Sequence, residues 1–353
     1  MSRHVLVARQ DSVGDVLLAG PAVRAVAARA GRVTLLCGPR GREAAKLLPG
    51  VDQVVVEHAA WIDAQPERVT RKAMDSLVDR LTDLDLDQAV ILTSFHQSPL
   101  PLALLLRMAE MPWIGAICED YPGSLLDLRH RVPPDLPESE RSLSLAIAAG
   151  FAPDGLGARL AVRGPLPDVT ARVGTEPYVV VHPGAAVPAR RPTAGHSRDI
   201  VAALVAAGNR VVVTGSAGEA TLSGFVANGK ACDLGGQLSL RELAAVLRGA
   251  DVVVVPNTGP AHLAAAVDTP VVSLFAPVVS SQQWAPYGVP RVVLGDQEAP
   301  CRDTRMRTCT VPGHPCLTSI RPHEVVTAVK QLREQYEPDA ARRPGALQQA
   351  QGA

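Results

Sequence analysis

The chain has 353 residues, a length that suggests two domains of ordinary size. Its 35 Lys and Arg balance its 35 Asp and Glu, so no bulk charge draws a nucleic-acid partner. No apolar run reaches membrane-spanning length, and the N-terminus enters a strand-like run with no signal-peptide h-region, so a cytoplasmic protein is expected, with peripheral membrane contact left open.

In chain order, residues 4–9 read as a strand, 10–15 as a Gly-containing turn and 16–29 as an Ala-rich helix. A strand at 33–37, a short helix at 42–48, a strand at 53–57, a charged helix within 63–82, a strand at 88–93 and a helix at 101–108 follow. This alternation of strand and helix predicts βαβ units and a parallel sheet. From 125 to 177 Pro and Gly punctuate the chain around one helix at 139–149, and 159–175 reads as the approach to a linker. A second βα series has strands at 178–182, 210–214, 231–234, 251–255 and 270–275, with helices at 197–207 and 240–248 between them. Residues from about 338 onward have the composition of a disordered tail.

One stretch organises the second series. Asp251 is followed by four valines, Pro256, Asn257, Thr258, Gly259, Pro260, Ala261 and His262, then an Ala-rich run. Consecutive β-branched residues suit a strand buried on both faces of a parallel sheet. Pro256 ends the ladder, and a polar cap with Pro in the first turn starts a helix. A helix start at the C-terminal edge of such a sheet is suited to phosphate. The same residues also serve plain turn and cap chemistry, and both readings stand at this point. His262 adds a titratable group to the corner. No Gly-x-Gly-x-x-Gly follows a strand and no Gly-x4-Gly-Lys-Ser/Thr is present, which argues against a standard dinucleotide dehydrogenase and a P-loop NTPase.

The ordered set of motifs resembles glycosyltransferase family 9, the lipopolysaccharide heptosyltransferases. It comprises Val5 through Gly14-Asp15 to Pro21, Leu92-Thr93-Ser94-Phe95 with Ile114-Gly115, His182-Pro183-Gly184-Ala185, Asn257-Thr258-Gly259-Pro260-Ala261-His262-Leu263, and Leu274 to Pro277 with Trp284 and Tyr287-Gly288. The resemblance runs to about residue 335. It implies an α/β GT-B fold, two Rossmann-like domains facing across a cleft. Residues 1–165 would form the acceptor domain and 175–335 the nucleotide-sugar domain, with the tail at 338–353. It implies an inverting glycosyltransferase with no cofactor and no metal. The donor would be a nucleotide-sugar, ADP-heptose by family, and the acceptor a hydroxyl of a glycan, glycolipid or small molecule.

Residue by residue, the resemblance makes Asp15, after Gly14, the catalytic base. It places the donor diphosphate at Asn257, Thr258, Gly259 and His262, puts Glu219 near donor hydroxyls and packs Leu238 near the base of the nucleotide, though loop charge and loop packing account equally well for Glu219 and Leu238. From the residues alone, Asp15 reads first as a charge complementing a helix dipole. Three departures mark this chain. The segment after His182-Pro183-Gly184 carries Arg190 and Arg191 without the family's Trp, and either arginine is placed to meet phosphate or to be a solvated loop charge. Asn257 stands where many members have Asp. Cys301, Cys309 and Cys316 with His314 keep only part of a Cys-rich segment; three Cys and one His suit zinc, but their spacing is not a standard knuckle, and an ordinary loop is the expectation. Two other functions compete: a GT-B nucleotide-sugar epimerase, which needs further acid/base groups, and a non-catalytic nucleotide-sugar binding protein, in which Asp15 has no reason to be kept.

Overall fold

The computed structural model describes residues 3–63 and 65–336, so the tail expected at 338–353 lies outside the described residues. The chain divides into two compact units between Arg163 and Gly164.

The first unit holds strands β1 (His4–Arg9), β2 (Arg32–Cys37), β3 (Gln53–Val56), β4 (Gln88–Ile91), β5 (Ile114–Ile117) and β6 (Leu128–His130). They form one sheet in the order β3-β2-β1-β4-β5-β6, every pair parallel. Its helices are α1 (Val13–Leu18), α2 (Gly20–Ala27), α3 (Arg42–Leu47), α4 (Arg71–Thr82), α5 (Leu100–Met108) and α6 (Glu138–Ala148). The second unit holds α7 (Thr170–Val173), β7 (Val179–Val181), α8 (Ala194–Ala206), β8 (Val211–Val213), α9 (Ala220–Ala227), β9 (Cys232–Asp233), α10 (Leu240–Arg248), β10 (Val252–Pro256) and α11 (Gly259–Ala266). It continues through β11 (Val271–Leu274), α12 (Ser281–Trp284), β12 (Arg291–Leu294), α13 (Pro315–Thr318) and α14 (Pro322–Gln335). Its sheet runs β12-β11-β10-β7-β8-β9, again all parallel.

The valine runs make the second core. Val179, Val181, Val211, Val213, Val252 and Val254 are all buried in one cluster with α8 and α14 residues such as Ile200, Leu204, Val325 and Val329. Helices cover both faces of such a sheet, so its strands carry no alternation of polar and apolar residues.

Both sheets reverse direction once. The chain builds outward from β1 through β2 to β3, then returns to lay β4 on the other side of β1; likewise β10 returns to lie beside β7. In open α/β sheets the crevice at the carboxyl ends of the two strands flanking this reversal is where ligands bind. The two reversal points are therefore β1/β4 and β7/β10.

Several expectations shift. The turn expected at 10–15 ends at Ser12, because α1 begins at Val13 and takes in Gly14 and Asp15. The single helix expected at 16–29 is two, α1 and α2. Pro21 sits at the start of α2, where its missing N–H and fixed φ are tolerated, and it would break a continuous helix. The charged helix expected within 63–82 is confined to Arg71–Thr82, capped by Thr70 Oγ1, which accepts from the Ala73 N–H at 3.3 Å. Pro256 is the last residue of β10 rather than the first beyond it. Strands β5, β6 and β12 and helices α7, α9, α12, α13 and α14 had no counterpart among the expected elements. The three strands have only three or four residues, too few for a period.

Candidate functional site

At the β1/β4 reversal, Arg9 ends β1 with its side chain completely buried. Its guanidinium meets three carboxylates. Nη1 donates to Glu138 Oε1 at 2.7 Å, Nη2 donates to Asp15 Oδ1 at 3.2 Å, and Nε lies 3.0 Å from Asp11 Oδ2 as an ion pair. Nη2 also donates to Ser94 Oγ at 2.9 Å, from the loop after β4. Ser94 Oγ in turn donates to Asp11 Oδ2 at 3.2 Å, and Gln97 Nε2 donates to Asp11 Oδ1. Arg141, one turn along α6, has Nη1 3.4 Å from Glu138 Oε1, donates to the Thr93 carbonyl and stacks over the Phe95 ring at 4.4 Å.

Asp15 is the most exposed carboxylate of this network, with 18% of its side chain exposed against 0% for Glu138 and 9% for Asp11. Its Oδ2 accepts from the Ser12 N–H at 3.2 Å and from Ser12 Oγ. Asp15 thus closes a capping box at the start of α1 and also stands at the sheet edge. Burial and the neighbouring Asp15 charge push the Asp11 carboxyl above the usual carboxylate range, against the pull of Arg9. Burial likewise pushes Glu138 up, opposed by Arg9 and Arg141. Burial works against the Arg9 charge too, but Glu138, Asp11 and Asp15 outweigh it and hold the guanidinium protonated.

The β7/β10 reversal carries the second cluster. His182 follows β7, and its N–H donates to the Val254 carbonyl of β10 at 2.9 Å. Its Nδ1 is 3.0 Å from Thr214 Oγ1, just beyond β8, and its Nε2 lies 3.9 Å from Glu219 Oε2. Burial lowers the His182 pKa to about 4, so the ring is neutral at pH 7. Burial also raises the Glu219 carboxyl, but hydrogen bonds from Ser216 Oγ at 2.7 Å and Ser216 N–H at 2.9 Å, with the Arg191 charge, take it below the usual range. Glu219 lies over Gly184: an ideal Cβ on Gly184 would stand 2.1 Å from Oε1. Gly184→Ala is therefore expected to evict the Glu219 carboxylate and lose the Ser216 cap. A fall in stability of about 0.5–2 kcal/mol by denaturant unfolding would report it, and an unchanged midpoint would show that the carboxylate has another seat.

Next to His182, β10 runs into α11. Asn257 is 3% exposed and its Nδ2 donor has no hydrogen-bond partner. Thr258 is the helix N-cap with extended backbone (φ −154°, ψ 172°), and its hydroxyl makes no cap hydrogen bond. Gly259 is the first helical residue, Pro260 follows, and His262 is 3% exposed. Pro260 has no N–H and the Ala261 N–H donates to the Thr258 carbonyl at 3.0 Å, so the helix start offers the Gly259 N–H, which no side chain caps, beside a buried amide donor awaiting an acceptor.

The model of the family described as glycosyltransferase family 9 (heptosyltransferase) matches residues 100–314. The chain belongs to glycosyltransferase family 9. Among curated members of the family, lipopolysaccharide heptosyltransferase 1 of Pseudomonas aeruginosa is 45% identical over 74 residues, which spans 21% of this chain and a fifth (20%) of that relative's length. Three solved structures share the fold. ADP-heptose LPS heptosyltransferase II of E. coli has a TM-score of 0.71 at 20% identity, over 95% of this chain and 99% of that one. A family 9 glycosyltransferase of Veillonella parvula has 0.74 at 16% identity, over 95% and 98%. E. coli heptosyltransferase WaaC with ADP has 0.69 at 19% identity, over 93% and 99%. The two parallel six-stranded sheets with their helices are those of the GT-B class.

In this family 9 chain the residues singled out from sequence fall into two groups, one in each unit. Gly14 and Asp15 stand at the β1/β4 reversal. Asn257, Thr258, Gly259 and His262 stand at the β7/β10 reversal, with Glu219 in the neighbouring loop. Arg191 is exposed and its charge acts on Glu219, whereas Arg190 is half-buried at the end of a 3-10 turn. Leu238 is half-buried two residues before α10. Cys301 and Cys316 are buried together in the second core with Cys309 at its edge, and all six thiols are free. His314 Nε2 lies 3.1 Å from the Ala189 carbonyl, and no group of three or more His, Cys, Asp and Glu among the described residues is placed to hold a metal ion.

Arg9, Asp11, Glu138 and Arg141 were not anticipated as site residues. Arg9 carried a usable signal, since a cation closing a buried apolar strand needs an anionic partner. Glu138 and Arg141 carried none, because the start of α6 (Glu138, Ser139, Glu140, Arg141, Ser142) has the composition of a solvated helix turn and is buried almost throughout.

Proposed function

We propose that the protein transfers a sugar from a nucleotide-sugar to an acceptor hydroxyl with inversion, the donor being ADP-heptose and the acceptor a glycan, glycolipid or small molecule. One observation carries this: each sheet has, at its strand-order reversal, the group that one half of the reaction requires. The first unit has a partly exposed carboxylate, Asp15. The second has an uncapped helix start and a buried amide donor at Asn257. The acceptor O–H attacks the anomeric carbon, its proton passes to Asp15, and the nucleoside diphosphate leaves with the electron pair of the glycosidic bond. The leaving diphosphate is met by the Thr258 to His262 helix start and by Arg191 or Arg190. Residues 1–165 would then serve the acceptor and 175–335 the donor. The relatives named for ADP-heptose and WaaC with ADP support the donor, and the six unpaired thiols suit a reducing, cytoplasmic setting.

Asn257→Ala tests the donor half. The variant removes a buried donor that has no partner, so stability should hold or rise, while affinity for ADP-heptose falls by roughly 1–3 kcal/mol. Isothermal titration and thermal melting on one preparation read both. Unchanged affinity would move the diphosphate away from this turn.

A further inference from the structure

We infer that Glu138 is a positioning residue for the Asp15 carboxylate and acts on it through Arg9. The inference rests on Asp15 being the base. Glu138 has no place in sugar transfer by position alone, since it begins α6, 129 residues from Arg9 in sequence, and no part of it reaches solvent. Its Oε1 accepts from Arg9 Nη1 at 2.7 Å, while its Oε2 has no hydrogen-bond partner. A guanidinium is rigid and planar, so anchoring Nη1 fixes the direction of Nη2. Nη2 is the atom 3.2 Å from Asp15 Oδ1.

Glu138 thereby does two things. It holds the cation in the plane where Asp15 meets it, and it offsets part of that cation's charge. A lone guanidinium at 3.2 Å would favour the ionised carboxylate and make a poor proton acceptor. Here the same guanidinium also answers to Glu138 and Asp11, and Arg141 shares Glu138. The titratable and charged groups facing Asp15 and its anchor include Arg9 from β1, Asp11 from the following loop, and Glu138 and Arg141 from α6, with Glu119 and His130 acting on Arg141 and with Ser12, Ser94 and Gln97 as neutral donors. The negative charge of Glu138 thus holds the proton affinity of Asp15 up, and its geometry holds the side chain still.

The experiment is a carboxyl-carbon NMR titration of the full chain with labelled Asp, the Asp15 resonance being identified by its loss in Asp15→Asn. Glu138→Gln keeps the shape and removes the charge. The Asp15 midpoint should fall by roughly one pH unit, and maximal turnover with ADP-heptose by several-fold. Glu138→Asp, which keeps the charge, should return the midpoint close to that of the unaltered protein. A structural role alone predicts lower melting temperatures for both variants and no movement of the midpoint; that result overturns the inference. Arg9→Lys is the second probe, should Glu138→Gln not fold. A single ammonium cannot span Glu138 and Asp15, so the midpoint should rise, and a static midpoint rules out the route through Arg9. The titration needs no catalysis, so it decides the role of Glu138 separately from the base assignment. Normal turnover in Asp15→Asn would remove the base while leaving the Glu138 effect readable.

Discussion

Asp15→Asn is expected to lower turnover by about a hundred- to ten-thousand-fold, the usual contribution of a general base, while donor affinity stays within a few-fold. The substitution keeps the side chain's shape, so the geometry of the reversal point survives. Arg9 retains Glu138 and Asp11 as partners, which leaves no uncompensated buried cation. The amide cannot copy all of the carboxylate's contacts, however. If its oxygen faces Arg9 Nη2, its NH2 faces Ser12, whose N–H then loses its acceptor. That weakened cap should cost on the order of 0.5–2 kcal/mol of stability. A role confined to the cap and the helix dipole predicts that stability loss and near-normal turnover. Steady-state kinetics and denaturant unfolding of the same variant separate the two, and turnover within a few-fold of the unaltered protein would take Asp15 out of the chemistry.

Gly259→Val should abolish most donor binding. Gly259 opens α11 as a right-handed helical residue, so a β-branched side chain there meets no forbidden φ. The added branches would stand beside the Gly259 N–H, at the helix start where the diphosphate is proposed to dock. Losing one charge-assisted hydrogen bond corresponds to roughly 1.5–3 kcal/mol, a fall of about ten- to a hundredfold or more in affinity. Gly259→Ala, with one methyl in place of three added carbons, should lose less. Titration calorimetry with ADP-heptose and with ADP alone reads the effect, and equal losses for both ligands would place it at the diphosphate rather than the sugar. Affinity unchanged in a folded Gly259→Val protein would move the diphosphate elsewhere.

Strands and helices were legible in the amino-acid sequence wherever the local pattern was long or unambiguous. The valine runs at 179–181, 211–213 and 252–255 are buried parallel strands because β-branched residues in unbroken series suit a surface covered on both faces. Gly14-Asp15 was singled out only by its resemblance to the family, whereas the same local logic marked the strand–turn–helix around Asn257, since caps, prolines and glycines act on their immediate neighbours. It failed where the decisive contact is distant or the element short. A three-residue strand such as β6 has no period, and Pro21 divides a run whose composition is helical throughout. The strand order was not legible locally, because the side on which β4 or β10 is laid depends on how whole helices pack against the sheet. That order is what makes the ends of β1 and β10 reversal points. Tertiary structure also decided the company Asp15 keeps. Arg9, Ser94 and Glu138 lie as much as 129 residues apart in sequence and meet because a buried guanidinium must find its counter-charges wherever the fold brings them.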